Sequence, residues 1–311
     1  MKAVTLATCL VAAGAGASVF AQSTTDALQR CHSYAGPESG NPDRAIAGCT
    51  AVIESDRFTG AERLDALAAR GVLFRKTGRF DFAIVDLTEV VRNRPAADDA
   101  YVERGLALVA SREADLAMAD FDLAVRLNPQ NTAALGQRAV ANRQKGRYDE
   151  AIHDLDHAVA LDPQDPWAVS ERGLDHFSKG EYDLAIRDFD RALALTPLSA
   201  WTIAERGAAY RLEGQYERAI ADLTRAIALD PDEWSFAERG AAHLQAGRYK
   251  EAIEDFTKAT ENGGQAWALY ARGIAKQKVG DATGASADMT RAQALRTDVA
   301  AEVANAGLAT Q

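Results

Sequence analysis

The 311-residue sequence predicts an all-α fold, a solenoid of antiparallel helix pairs. Three observations carry this. An Arg–Gly pair returns at Arg70-Gly71, Arg104-Gly105, Arg172-Gly173, Arg206-Gly207, Arg239-Gly240 and Arg272-Gly273, with Arg138-Ala139 as a variant, at spacings of 34, 34, 34, 34, 33 and 33 residues. Twelve residues after each Gly (or Ala139) stands an Ala: Ala83, Ala117, Ala151, Ala185, Ala219, Ala252 and Ala285. Between them lies a helix breaker, Gly78, Gly146, Gly180, Gly214, Gly247 or Gly280, with Arg112 as the one departure. A fixed period of this length means stacked helical hairpins. Small residues at two constant places allow the two helices of each hairpin to approach closely, and the Gly takes the left-handed conformation that ends the first helix. The turn at Arg112 is expected to be less regular.

Composition bounds the rest. Lys and Arg number 35 against 45 Asp and Glu, a net charge of −10. That balance opposes nucleic acid as a partner, because phosphate binding needs clustered basic residues. No stretch beyond the N-terminus is long and apolar enough to cross a bilayer.

In chain order, residues 1–21, "MKAVTLATCLVAAGAGASVFA", form the first segment. Lys2, an apolar run to Phe20, and small Val19 and Ala21 read as a secretory signal cleaved after Ala21, and hence as export to a periplasm or to the exterior. The alternative, a buried N-terminal helix, is opposed by Gly14 and Gly16. Cleavage removes Lys2 and Cys9, which moves the net charge from −10 to −11. It leaves Cys31 and Cys49, and an even count in an exported chain suggests a disulfide.

Residues 22–63 read as a degenerate capping hairpin. "NPDRAIAGCTAVI" (41–53) repeats the Ala-Ile of later second helices at Ala45-Ile46, and "DALQRCHSY" (26–34) supplies the first helix. Cys31 and Cys49 then face each other. A bridge between them is worth roughly 3 kcal/mol in the chain-entropy picture; two free buried thiols are the other reading. Residues 64–298 divide into seven units, 64–97, 98–131, 132–165, 166–199, 200–232, 233–265 and 266–298, and Pro95, Pro129, Pro163, Pro197 and Pro231 close five of them. Residues 299–311 read as a short covering helix and a tail.

These residues resemble the tetratricopeptide repeat. The family's Gly at position 8, Ala at 20 and Pro at 32 match; where the family has an aromatic at 24 this chain reads Leu87, Phe121, Leu155, Phe189, Leu223, Phe256 and Met289, and where it has Ala at 27 this chain reads Val90, Ala124, Ala158, Ala192, Ala226, Ala259 and Ala292. The chain departs at position 11 (Phe74, Leu108, Asn142, His176, Tyr210, His243, Lys276), and at position 7, where the family has Leu and this chain has Arg. The resemblance implies a right-handed superhelix with a concave groove that binds a protein or peptide.

Each position-7 Arg has an Asp sixteen residues on: Arg70 and Asp86, Arg104 and Asp120, Arg138 and Asp154, Arg172 and Asp188, Arg206 and Asp222, Arg239 and Asp255, Arg272 and Asp288. The constant offset predicts a structural ladder of ion pairs, either within one unit or bridging two.

Nothing in the sequence reads as catalytic, and no cofactor is implied. There is no phosphate-cradling Gly loop and no Gly-x-Ser-x-Gly elbow. His153 and His157 have a metal-compatible i, i+4 spacing but no third ligand nearby, so they read as exposed surface. His176 and His243 replace aromatics and read as packing residues.

The family's groove positions contain Trp167, Trp201, Trp234 and Trp267, with Phe177, Tyr270, Arg75, Arg143 and Arg211 nearby. Two readings of the Trp stripe stand: an aromatic grip on a peptide, since Trp and Arg dominate binding hot spots, or packing on the preceding Pro-containing turn. The Lys/Asn/Arg clamp by which some family members hold C-terminal carboxylates is not seen, because position 9 reads Val72, Leu106, Val140, Leu174, Ala208, Ala241 and Ile274. The expected function is a non-catalytic binding scaffold; the alternative is a self-associating subunit of an envelope assembly.

Overall fold

The computed structural model describes residues 29, 31, 41–261, 263 and 265–308. The signal reading of residues 1–21 and most of the first capping helix lie outside the described residues. Those described form helices joined by short turns, with no strands, and they fall into two compact units, 1–141 and 142–311.

The first unit contains α1 (Pro42–Glu54), α2 (Gly60–Lys76), α3 (Phe80–Asn93), α4 (Asp98–Ala110) and α5 (Ala114–Leu127), and the division falls within α6 (Thr132–Gln144). The second contains α7 (Tyr148–Leu161), α8 (Pro166–Lys179), α9 (Tyr182–Leu195), α10 (Ala200–Leu212), α11 (Tyr216–Leu229), α12 (Glu233–Gln245), α13 (Tyr249–Ala259), α14 (Ala266–Lys278), α15 (Ala282–Leu295) and α16 (Val299–Asn305).

Side-chain caps set where several first helices begin. Thr59 and Glu62 form a reciprocal capping box at α2, which places its start at Gly60, four residues before the expected unit boundary. Asp165, Ser199 and Asp232 accept from backbone N–H groups in the first turns of α8, α10 and α12.

The hairpin turn repeats one hydrogen-bond pattern. In α2–α3 the N–H of Arg79 reaches back to the carbonyl of Phe74 at 2.8 Å, around Gly78 at φ 77°. The same six-to-one bond joins Gln215 to Tyr210 at 2.8 Å and Asp281 to Lys276 at 2.9 Å. Position 11 therefore contributes a carbonyl to the turn, which any residue supplies, and this accounts for its varied side chains.

The turn at Arg112 corrects the expectation of irregularity. Arg112 takes φ 65°, and Glu113 donates to Leu108 at 2.8 Å, as at the glycine turns. The hydrogen bonds and the packing of α4 on α5 impose the left-handed conformation on a residue with a Cβ, at a cost of about 1–2 kcal/mol.

Position 8 sets the distance between paired helices. A Cβ on Gly105 would lie 2.5 Å from the Phe121 ring, one on Gly207 2.8 Å from Leu223 Cγ, and one on Gly273 2.8 Å from Met289 Cγ. The residue at position 24 thus packs onto bare backbone. Phe121, Phe189, Leu223 and Phe256 are fully buried there, flanked by the small residues at positions 20 and 27.

The two ends are closed differently. Cys31 and Cys49 are joined by a disulfide and are buried with Ala45, Ile46, Val52 and Leu73. At the other end, Val299, Val303 and Leu308 are buried against the cluster built by α12–α14.

Replacing Arg112 by Gly relieves the left-handed strain. Arg112→Gly is expected to raise unfolding stability by about 1 kcal/mol, read as a higher urea midpoint at unchanged slope.

Candidate functional site

Three sets of side chains occupy the first helices: the position-7 Arg fork, an inner row of charges, and the Trp stripe.

The Arg fork makes contacts both within and between hairpins. Arg104 donates through Nε to Asp120 at 2.8 Å and through Nη2 at 2.7 Å, and its Nη1 reaches Thr88 on the preceding second helix at 3.3 Å. Arg172 holds Asp188 at 2.8 and 2.6 Å and reaches back to Asp156 at 2.8 Å. Arg206 holds Asp222 and reaches Asp190. The same bidentate grip joins Arg70 to Asp86, Arg239 to Asp255 and Arg272 to Asp288, with back contacts to Thr50, Thr224 and Thr257. Arg138 donates to Asp122 at 3.4 Å. The two readings of the ladder, within a unit or bridging two, are thus both present in one side chain. The hydrogen bond to Asp120 is the largest influence raising the Arg104 guanidinium pKa above its ordinary value.

The predicted groove arginines are occupied. Arg75 binds Glu103 at 2.6 Å, Arg143 binds Glu171 at 2.6 Å and Asp175 at 3.1 Å, and Arg211 binds Glu238 at 2.8 Å and Gln245 at 3.3 Å. Each of the three Arg–Glu links joins position 12 of one repeat to position 6 of the next, an offset of 27 or 28 residues. By that rule Glu205, at position 6, needs a cation at residue 177, where the chain has Phe177. Glu205 is 9% exposed, and no hydrogen bond or ion pair reaches it among the described residues. Burial pushes its pKa up to about 7; Glu238 adds to the rise, Arg143 opposes it and Glu171 adds. Burial likewise pushes Asp175 up to about 6, against the pull of Arg143, and its Oδ2 has no partner. The sequence contains the signal for Glu205, the position-12 to position-6 offset, but only the contacts reveal what the offset means.

The four Trp do not form one uniform stripe. Trp267 packs edge-on against Phe256, with ring centroids 6.2 Å apart, and its Nε1 donates to Gln265 in the preceding turn. Trp234 is half-buried against the cluster of Ile203, Leu223 and Ala242. Trp167 and Trp201 are 38% and 43% exposed. Tyr270 packs on the same cluster as Trp267, while Phe177 packs on Ile186 and Phe189 and meets Tyr182 edge-on at 5.6 Å.

Trp201 is shared by two clefts. One, of about 580 Å³, lies between Trp167 and Trp201 and is walled by Pro166, Pro197, Leu198 and Thr202. The other, of about 420 Å³, lies between Trp201 and Trp234 and contains Glu205, Asp230 and Asp232. Both fall within the range of ligand sites. A larger hollow of about 750 Å³ runs along α15 but is lined by small residues and Arg291, with no aromatic side chain.

The Glu181 carboxylate accepts from His176 Nδ1 at 2.7 Å, and His243 lies 3.8 Å from Asp255. His153 and His157 are exposed, and no group of three metal-ligating side chains occurs among the described residues. No helix among them is long and apolar enough to cross a membrane.

Antiparallel helix pairs returning every 33 or 34 residues, six of them closed on a bare Gly and joined by an Arg fork, define a helical-hairpin repeat protein. The chain carries tetratricopeptide repeats. Models of that repeat match residues 68–132 and 103–166, 200–233, and 235–262. Among solved structures, the chain is similar to the Cut9–Hcn1 hetero-tetramer of the APC/C, with a TM-score of 0.67, 17% identity, and 86% of this chain and 52% of that chain covered. It therefore spans about half the length of that chain. It is also similar to a tetratricopeptide repeat protein from Parabacteroides merdae, with a TM-score of 0.61, 20% identity, and coverage of 83% and 98%. PilW, a type IV pilus biogenesis factor, gives a TM-score of 0.60 at 21% identity over 63% of this chain and 92% of that one. None of the curated proteins compared with the chain matches it.

Two outcomes follow from the buried charges. Asp120→Ala strands the Arg104 guanidinium and is expected to lower stability by about 3 kcal/mol, with part restored by adding Arg104→Leu, both read by urea unfolding. For Glu205, the unfolded chain releases its proton near pH ~4.3 whereas the fold holds it to about 7, so the folded state binds more protons in between. Stability is therefore expected to fall as pH rises through that window. Glu205→Gln is expected to flatten the fall and to be more stable than the native chain above it, by on the order of 3 kcal/mol.

Proposed function

We propose that the chain is a non-catalytic scaffold that binds a segment of another protein in the clefts flanked by Trp167, Trp201 and Trp234. The observation that carries this is the exposure of Trp167 and Trp201 on either side of one open cleft. A large, rigid aromatic surface left half in water beside a preformed hollow suits hot-spot recognition. The caps at Asp165 and Ser199 hold the two helix starts in place, so little ordering is needed on binding. Repeat arrays present such preformed surfaces to extended or helical segments. The net charge of −10 opposes a nucleic-acid partner.

The disulfide between Cys31 and Cys49 supports an oxidising, exported location for the chain, periplasmic or secreted. One observation favours the second reading, self-association. Phe82, Val85 and Leu116 are 62%, 67% and 56% exposed on the second helices α3 and α5, far from the Trp clefts in sequence.

The test is photo-crosslinking from Leu198, which is 72% exposed and lines the Trp167–Trp201 cleft. Trp167→Ala with Trp201→Ala is expected to reduce capture of a partner protein at least about tenfold while costing about 1 kcal/mol of stability or less. Capture of a second copy of the chain, unaffected by these changes and accompanied by a doubled mass in light scattering, would favour self-association instead.

A further inference from the structure

We propose that the cleft between Trp201 and Trp234 takes the guanidinium of an arginine side chain on the bound segment, with Glu205 as its counter-ion. The proposal rests on the peptide-binding reading above and specifies the chemistry of one residue of that peptide.

The argument begins with a charge that has no partner. Where position 12 is Arg, the next repeat supplies a Glu at position 6: Arg75 with Glu103, Arg143 with Glu171, Arg211 with Glu238. Where position 12 is apolar, as at Val109 and Leu244, the next position 6 is uncharged, Gln137 or Ala271. Phe177 followed by Glu205 breaks this rule. The chain carries a carboxylate at the one such place where it supplies no cation to meet it. Such a group costs stability when ionised, and a local inconsistency of this kind marks a candidate functional position.

The surroundings say what kind of use. Glu205 lies in a cleft with Trp201 and Trp234, and the mouth carries Asp230 and Asp232. Asp232 is engaged by the backbone N–H and hydroxyl of Ser235 at 2.9 and 2.5 Å, whereas Asp230 is exposed. The charged groups facing Glu205 from the neighbouring helices are Glu238 on α12, Glu171 on α8 and Arg143 on α6. Arg143 is already held by Glu171 and Asp175, and Glu238 by Arg211. The inner row of Arg143, Arg211, Glu171, Asp175, Glu205 and Glu238 thus contains two cations and four carboxylates, a local deficit of positive charge. A cation entering the cleft meets two indoles and an unpaired carboxylate together, the combination that binds guanidinium through its face and its fork. Arginine fits better than lysine, because its planar group presents donors to the carboxylate while lying against an aromatic surface. The high pKa of Glu205 adds a signature: below about 7 the incoming cation must displace a proton, so binding strengthens as pH rises.

The test uses the purified full chain and three probes: N-acetyl-arginine amide, N-acetyl-lysine amide, and the neutral isostere N-acetyl-citrulline amide. Binding is followed by NMR on the indole N–H signals, assigned with Trp201→Phe and Trp234→Phe. The arginine probe is expected to shift the Trp201 and Trp234 signals saturably, at least about tenfold more tightly than citrulline, and more tightly than lysine. Glu205→Gln is expected to abolish that preference, and the native affinity is expected to rise about tenfold between about pH 6 and about pH 8. Glu205→Gln removes a buried charge, so loss of folding is not the anticipated confounder, and its circular dichroism and urea midpoint check this directly. Equal binding of citrulline, arginine affinity unchanged in Glu205→Gln, or no saturable shift up to about 20 mM would each overturn the proposal. If Leu198 capture depends on the Trp residues while the arginine probe fails, the peptide reading stands and this inference falls. If the probe binds and capture fails, the cleft binds guanidinium but the wider reading falls.

Discussion

Six of the hairpins are each joined by one guanidinium, from Arg70, Arg104, Arg172, Arg206, Arg239 and Arg272. The position-7 Arg grips the Asp of its own second helix with Nε and Nη2 and reaches back with Nη1 to the hairpin before it, as at Arg104, Arg172 and Arg206. Arginine alone among side chains has donors in a fixed planar fork able to serve both directions at once. The fork does not drive folding by itself, since a buried ion pair loses much of its Coulomb energy to desolvation. Its effect is on register: the bidentate geometry is satisfied at one sliding position of the two helices. The hydrophobic contribution comes from beside it, where the residue at position 24 lies on a bare glycine, as Phe121 does on Gly105 and Leu223 on Gly207.

A repeat built this way makes departures informative. Arg112 in a glycine's conformation is a departure the surrounding hydrogen bonds absorb. Asp175, buried at a position that is Leu or Ala in the other repeats, is a departure held by Arg143. Glu205 is a departure with nothing to hold it. Local inconsistency of that kind concentrates where a protein does something besides fold. Here it coincides with the place where Trp201 and Trp234 enclose a cleft.

The ends follow the same logic of completing an exposed face. A terminal hairpin lacks one neighbour, so its core is thinner. The N-terminal end is closed covalently by Cys31–Cys49, and the C-terminal end by the apolar side of α16, whose Val299 and Val303 are fully buried.

The sequence by itself determined the fold class, the repeat period, the helix pairing and the Arg–Asp offset. Each of these is a local or strictly periodic property, so seven copies reinforce one another wherever one alone would be ambiguous. The i, i+16 spacing also announced a charge pair before any contact was visible. What only the tertiary structure decided is how side chains from different repeats meet. The Trp residues share one position in sequence, yet Trp267 lies against Phe256 while Trp167 and Trp201 stand half in water, because the preceding turn differs in what it offers each ring. Arg75, Arg143 and Arg211 read as groove cations but are consumed by a carboxylate 27 or 28 residues on. Glu205 looks ordinary among 45 acidic residues and becomes distinct only when Phe177 is found where its partner would stand. Contact between repeats is set by the packing distance between successive hairpins, and that distance is a property of the assembled core, absent from any single repeat.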